Sequence, residues 1–91
     1  MRRVQWRARA LADLDRIHVW LSTIEGANAD RAILRIRRTA NTLGRLGDIG
    51  RPSKVDGARE MSVRNAPYVI AYEAKPGTID IVAVYHTAQK R

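Results

Sequence analysis

The sequence predicts an α+β domain: an N-terminal strand, then an antiparallel helical hairpin packed on one face of a small antiparallel sheet. Three observations carry this prediction. Two stretches in the first half repeat apolar residues at steps of three and four, which puts them on one side of a helix. The last third alternates apolar and polar residues over 60–63, 68–74 and 78–85, the period of a strand. Those runs are separated by Asn65-Ala66-Pro67 and Lys75-Pro76-Gly77, where Pro presets one backbone angle and Asn and Gly tolerate left-handed conformations.

Taken in order, residues 4–6 read as a short first strand. Over about 8–24, Ala10, Leu14, Ile17, Leu21 and Ile24 form an apolar stripe, which Glu25-Gly26-Ala27 breaks. Asn28 is the expected N-cap of a second helix, and Asp30 in its first turn suits the helix dipole. That helix runs to Leu43 or Leu46 with Ala29, Ala32, Ile33, Ile36, Ala40 and Leu43 as its apolar stripe, while Arg31, Arg35, Arg38 and Arg45 make a basic ridge. Residues 44–57, with four glycines and Pro52, read as a loop. In the last run Ile79, Ile81, Ala83 and Tyr85 alternate with Asp80, Val82, Val84 and His86, so both faces are apolar through the middle, as in a central strand. Residues 1–91 are expected to form a single domain. At this length only roughly 60–65% of the extended-chain surface is buried on folding, which leaves a thin stability margin.

Seventeen Lys and Arg against nine Asp and Glu give a net charge of +8. Arginine dominates the basic set, and its planar fork suits carboxylates and phosphates. The excess points to nucleic acid or an acidic protein partner, although a genome rich in Arg codons accounts for the composition equally well. Cysteine is absent, which excludes disulfides and thiol chemistry. No run approaches the ~20 apolar residues of a membrane span, and the basic start leads into a charged helix rather than an apolar segment. No membrane role and a cytoplasmic location are expected. The glycines at 44, 47 and 50 lack the Lys-Ser/Thr ending of a phosphate loop, and two isolated histidines leave no metal site, so no cofactor is expected.

Several residues stand out as candidates. His86, at the end of the last strand on the side of Val82 and Val84, is either an acid–base group or a structural brace for the C-terminal turn. Arg59 and Arg64 flank the second strand of the meander, as target-binding cations or as surface charge pairing Arg59 with Glu60 or Glu73. Tyr68 and Tyr72 share a face with Ile70 and are expected beneath the helices rather than stacked on a base. Trp20 lies off its helix stripe and suits an interface edge.

The segments Trp6, Ala10-Leu11-Ala12-Asp13-Leu14-Asp15-Arg16-Ile17, Gly50-Arg51-Pro52, Gly57-Ala58-Arg59-Glu60-Met61, Pro67-Tyr68-Val69-Ile70-Ala71-Tyr72 and Val84-Tyr85-His86-Thr87-Ala88-Gln89 occur in that order over nearly the whole chain. In this arrangement the sequence resembles the ParE/RelE superfamily of type II toxins. The resemblance implies one of two targets. RelE-like members are ribosome-dependent mRNA endonucleases, and ParE-like members poison DNA gyrase. The nuclease branch typically has Arg directly after the first aromatic of the strand, a basic residue two before the terminal His and, in one subgroup, an aromatic just after it. Here those positions are Val69, Val84 and Thr87. Attack by a 2′-hydroxyl needs a base and cations for the charge building on phosphate. The losses therefore favour the ParE-like branch, a binder rather than an enzyme.

That branch implies a cognate ParD-like antitoxin and DNA gyrase as partners, with DNA contacted indirectly through either. Arg59, Arg64, His86, Lys90 and Arg91 are the expected target-binding residues, and Trp20, Arg31, Arg35 and Arg38 the expected antitoxin-binding ones. The alternatives are an mRNA endonuclease using His86, Arg59 and Arg64, and a non-toxic co-repressor that only binds the antitoxin.

Overall fold

The computed structural model describes residues 1–46 and 49–89. The elements run β1 (Arg3–Trp6), α1 (Ala8–Ser22), α2 (Ala29–Leu46), β2 (Arg51–Pro52), β3 (Arg59–Ser62), β4 (Tyr68–Lys75) and β5 (Thr78–His86), closed by a short 3-10 turn, Thr87–Gln89. Local chemistry sets the helix ends. The hydroxyls of Ser22 and Thr23 donate to the carbonyls of His18 and Trp20 and finish α1. The Asn28 side-chain oxygen accepts the Arg31 N–H at 2.9 Å and caps α2, as the sequence predicts.

The strands form a single five-stranded sheet in the order β1-β5-β4-β3-β2. β3, β4 and β5 are the predicted antiparallel meander, but β1 runs parallel to β5, from Arg3 opposite Thr78 to Trp6 opposite Ile81. The sheet is therefore mixed, not antiparallel throughout. The helical hairpin between β1 and the meander is the long crossover that parallel neighbours require. β2, read from sequence as loop, adds two residues at the far edge, where a proline is tolerated because no outer strand needs its missing N–H.

A register shift between Ala71 and Tyr72 decides which side chains face the helices. Ala71 pairs with Ala83 but Tyr72 pairs with Ile81, so Val82 is the extra residue of a bulge. Beneath the helices lie Tyr68, Ile70 and Tyr72 from β4 and Ile79, Ile81 and Val84 from β5, packed on Ala10, Leu14, Ile36, Ala40 and Leu43. Val69, Ala71, Val82, Ala83 and Tyr85 form a second cluster on the opposite face, covered by Val55. The bulge corrects the simple alternation read from sequence: His86 lies on the side of Val84, and Val82 on the other.

Close approach explains two glycines. The Gly50 N–H donates to the Tyr72 hydroxyl at 3.0 Å, and a Cβ on Gly50 would collide with that hydroxyl and come within 2.8 Å of the Glu60 carbonyl. In α2 a Cβ on Gly44 would sit 2.8 Å from the Arg2 carbonyl, which lies against the helix where the Arg2 N–H donates to Gly44.

The second face of the sheet is held by charge. Glu60, 2% exposed, accepts from Arg51 Nε at 2.9 Å and from the Tyr85 hydroxyl at 2.5 Å. Burial, and then the bond to Glu60, keep that hydroxyl protonated above the usual tyrosine range. Lys54 stands 4.6 Å over the Tyr85 ring, so the loop before β3 is pinned to the sheet at several points. The sequence allows Glu60 or Glu73 as a partner for Arg59; instead Glu60 receives Arg51, while Glu73 receives Arg7 at 2.6 Å. Arg7 also bridges to Asp80 at 3.1 Å, and Lys75 meets Asp80 at 3.1 Å. Hydrogen bonds from Arg7, then from Lys75, hold the Asp80 carboxyl below the usual carboxylate range.

Gly50→Ala is expected to destabilise the fold by about 1–3 kcal/mol through overpacking, read as a lower midpoint in urea. Asp80 stabilises the folded chain above its unfolded pKa, and the contribution disappears as pH falls through the depressed folded value. The stability gap between the protein and Asp80→Asn should therefore be constant at neutral pH and close below about pH 4. A gap that persists unchanged in acid would refute the ion-pair account.

Candidate functional site

The arrangement that distinguishes one end of the molecule begins where β1 stops. Trp6 is its last paired residue and the Arg7 N–H still donates to the Ile81 carbonyl, but from Val82 onward no strand among the described residues lies beside the outer edge of β5. α1 turns onto that edge. Asp13 reaches across it, and its Oδ2 accepts the Val84 N–H at 2.9 Å, replacing the missing strand with a carboxylate. Its Oδ1 accepts from Arg16 Nη2, and Arg9 Nε lies 4.0 Å from Oδ2. Asp13 is 6% exposed, so its charge is buried but met by an amide and two guanidiniums.

Between α1 and the end of β5 runs a groove of about 600 Å³. Arg9, Asp13 and Arg16 line one wall, Tyr68, Val84 and His86 another, and Trp20 closes one end. His86 is packed edge-on to Tyr68, with ring centres 5.5 Å apart, and edge-on to Trp20 at 6.2 Å. Its Nδ1 accepts the Ala88 N–H at 3.0 Å, so the imidazole braces the turn that follows β5. Burial raises the Tyr68 hydroxyl above the usual tyrosine range.

The residues singled out from sequence fall in three separate places. His86 and Trp20 come together in the groove. Arg59 stands opposite Tyr72 and donates to the Gly50 carbonyl at 2.9 Å. From the register its Cα lies about 16 Å from that of His86, two strands across and four to five residues along. Arg64 sits in the β3–β4 turn against α2, where its carbonyl accepts from Arg35 at 3.3 Å. Arg31, Arg35 and Arg38 line a hollow with Arg64, away from Trp20. Lys90 and Arg91 lie outside the described residues. Among the described residues no group of three or more His, Cys, Asp or Glu could hold a metal ion, and no helix is long and apolar enough to cross a membrane.

Sequence reasoning passed over Asp13, Arg9 and Arg16 as site residues. The signal was present: Asp13 occupies the apolar stripe between Ala10, Leu14 and Ile17, and a carboxylate on a buried stripe demands a partner.

The model of the "ParE toxin of type II toxin-antitoxin system, parDE" matches residues 4–91. The chain belongs to the ParE toxin family. Among curated ParE/RelE relatives, Toxin RelE2 of Caulobacter vibrioides is 35% identical, covering 98% of this chain and 99% of that one. Toxin RelE3 of the same organism is 32% identical over the full length of both. A chain of the solved chromosomal ParDE TA system from P. aeruginosa superposes with a TM-score of 0.84 at 27% identity, covering 94% of this chain and 96% of that chain. This ParE-family chain is thus a type II toxin by sequence and by fold, and the names of its relatives span both the ParE and the RelE branches.

Asp13→Ala would leave the buried Val84 N–H without an acceptor, an expected loss of about 1–3 kcal/mol with faster hydrogen exchange at the Val84 amide. Asp13→Asn keeps an acceptor oxygen and should lose less. Equal losses in the two variants would mean that charge, not the amide bond, is what Asp13 supplies.

Proposed function

We propose that this toxin acts by binding DNA gyrase and stabilising the enzyme on cleaved DNA, not by cutting RNA. The observation that carries the reading is the state of the β5 terminus. Val69 and Val84, at the positions where the nuclease branch presents cations, are 1% and 3% exposed and packed in the two apolar clusters. A cation at 69 would have to open the core, and at 84 the groove wall carries a short apolar side chain where the nuclease branch places a cation. The imidazole of His86 is engaged by the Ala88 N–H, and the guanidinium of Arg16 is engaged by Asp13. A 2′-hydroxyl attack needs a base together with uncompensated positive charge, and this end of the sheet offers an imidazole used as a brace.

A ParD-like antitoxin is the second partner in this reading. Its support is the ParDE relative together with apolar side chains left on the helical hairpin: Leu11, Val19 and Trp20 on α1 and Leu34 on α2 are each 45% exposed or more. Covering such residues would supply the anchors of an interface, and Trp20 is the residue type most often central to one. The target-facing surface in this reading is the groove around His86, with Trp20 at its border. A cytoplasmic location follows from both partners.

The names of the RelE relatives make the nuclease the reading to test against. Purified protein added to gyrase, ATP and supercoiled plasmid should produce linear, protein-linked DNA, and an excess of antitoxin should suppress it. Codon-phased breaks in transcripts on translating ribosomes that vanish on His86→Ala would overturn the proposal.

A further inference from the structure

On the opposite side of α2 from the β1 contact, the structure gathers positive charge with nothing to offset it. Arg31, Arg35 and Arg38 follow one face of the helix, and Arg64 and Asn65 approach from the β3–β4 turn, enclosing a hollow of about 350 Å³. Asn65 holds a left-handed backbone, φ +59°, which lets the chain turn tightly enough to bring Arg64 against α2. Arg35 Nη1 donates to the Arg64 carbonyl and fixes the two elements together. Among the described residues no carboxylate lines the hollow and none of these four arginines is in an ion pair; the acidic partners serve Arg7, Arg9, Arg16, His18, Arg51 and Lys75 instead. Thr39 and Thr42 donate their hydroxyl protons to the carbonyls of Arg35 and Arg38, so the charged donors around the hollow are guanidinium N–H groups, with the Asn65 amide beside them.

Four like charges around one small space repel, and an anion placed there relieves the repulsion. We infer that this hollow is a docking site for the phosphate backbone of duplex DNA. The lining selects among anions. The row on α2 rises about 6 Å from Arg31 to Arg35 and about 4.5 Å more to Arg38, which suits a string of phosphates rather than one free phosphate. Leu34 is the single large apolar side chain present, so an acidic helix would find little of the apolar anchoring that peptide grooves provide. Among the described residues no aromatic lines the hollow, which leaves out the stacking platform of a single-strand site. What is left is sequence-independent contact with a charged backbone, for which the arginine fork is the standard donor. The inference is independent of the gyrase reading, since the site would hold DNA whichever target the toxin has.

The test is fluorescence anisotropy of the full chain with a short labelled duplex of mixed sequence. Four phosphate contacts predict a log–log salt slope near −3.6, a loss of affinity of about 150-fold between about 50 and 200 mM salt. Arg31→Gln with Arg38→Gln, two exposed residues whose side chains bond to no neighbour among the described residues, should halve the slope and cut the loss to about 12-fold. Arg3→Gln with Arg37→Gln removes the same charge on the other side of α2, where Arg37 lies over Trp6, and should leave the slope nearly unchanged. Equal weakening by both pairs would reduce the effect to net charge and overturn the site. So would the absence of duplex binding at low salt, or tighter binding of polyglutamate than of duplex at matched charge.

Discussion

After Ile81 no strand among the described residues neighbours the outer edge of β5, and the peptide N–H of Val84 is bonded to a carboxylate instead. A buried amide without an acceptor is costly. Asp13 meets that need, and in doing so fixes how α1 lies along the sheet. Once α1 lies there, Trp20 is brought to the edge of His86, and Arg9 and Arg16 are drawn to the same carboxylate. The groove is the space that this arrangement leaves open. Its composition follows from one unfilled hydrogen bond at the point where a four-residue strand ends.

The same logic governs the charge of the whole molecule. Asp13, Glu60, Glu73 and Asp80 are each tied to an element of the fold: one to the open strand edge, one to the loop over the second sheet face, two to the start of α1 through Arg7. Buried carboxylates are retained where several donors converge, because a lone one would be expelled or neutralised. With these four carboxylates tied into the fold, much of the basic excess is left on the surface. It is not spread evenly. Arg37 lies 5.5 Å over the Trp6 ring on one side of α2, while Arg31, Arg35 and Arg38 stand on the other with Arg64. A net charge of +8 thus becomes a directed feature rather than a diffuse one.

In this member of the ParE toxin family the surfaces adjoin: the apolar hairpin surface meets the groove at Trp20 and the arginine-lined hollow at Leu34. Val69 and Val84 are buried, 1% and 3% exposed, one in each apolar cluster of the sheet.

By itself the sequence determined the fold class, both helices, the Asn28 cap, the Pro-Gly turn before Thr78, the placing of Tyr68 and Tyr72 under the helices, and the family. Each of these rests on local chemistry or on a pattern within one segment: the helical repeat of Ala10, Leu14 and Ile17, the alternation of Tyr68, Ile70 and Tyr72, the side-chain oxygen of Asn28. Only the tertiary structure decided that β1 runs parallel to β5, that Val82 is bulged and His86 therefore faces the helices, that Arg51 and not Arg59 meets Glu60, and that Arg59, Arg64 and His86 lie in separate places. Those outcomes depend on which groups compete for the same partner across the sheet. Asp13 and Val84 are 71 residues apart, and nothing local to either one specifies that the carboxylate will find that amide.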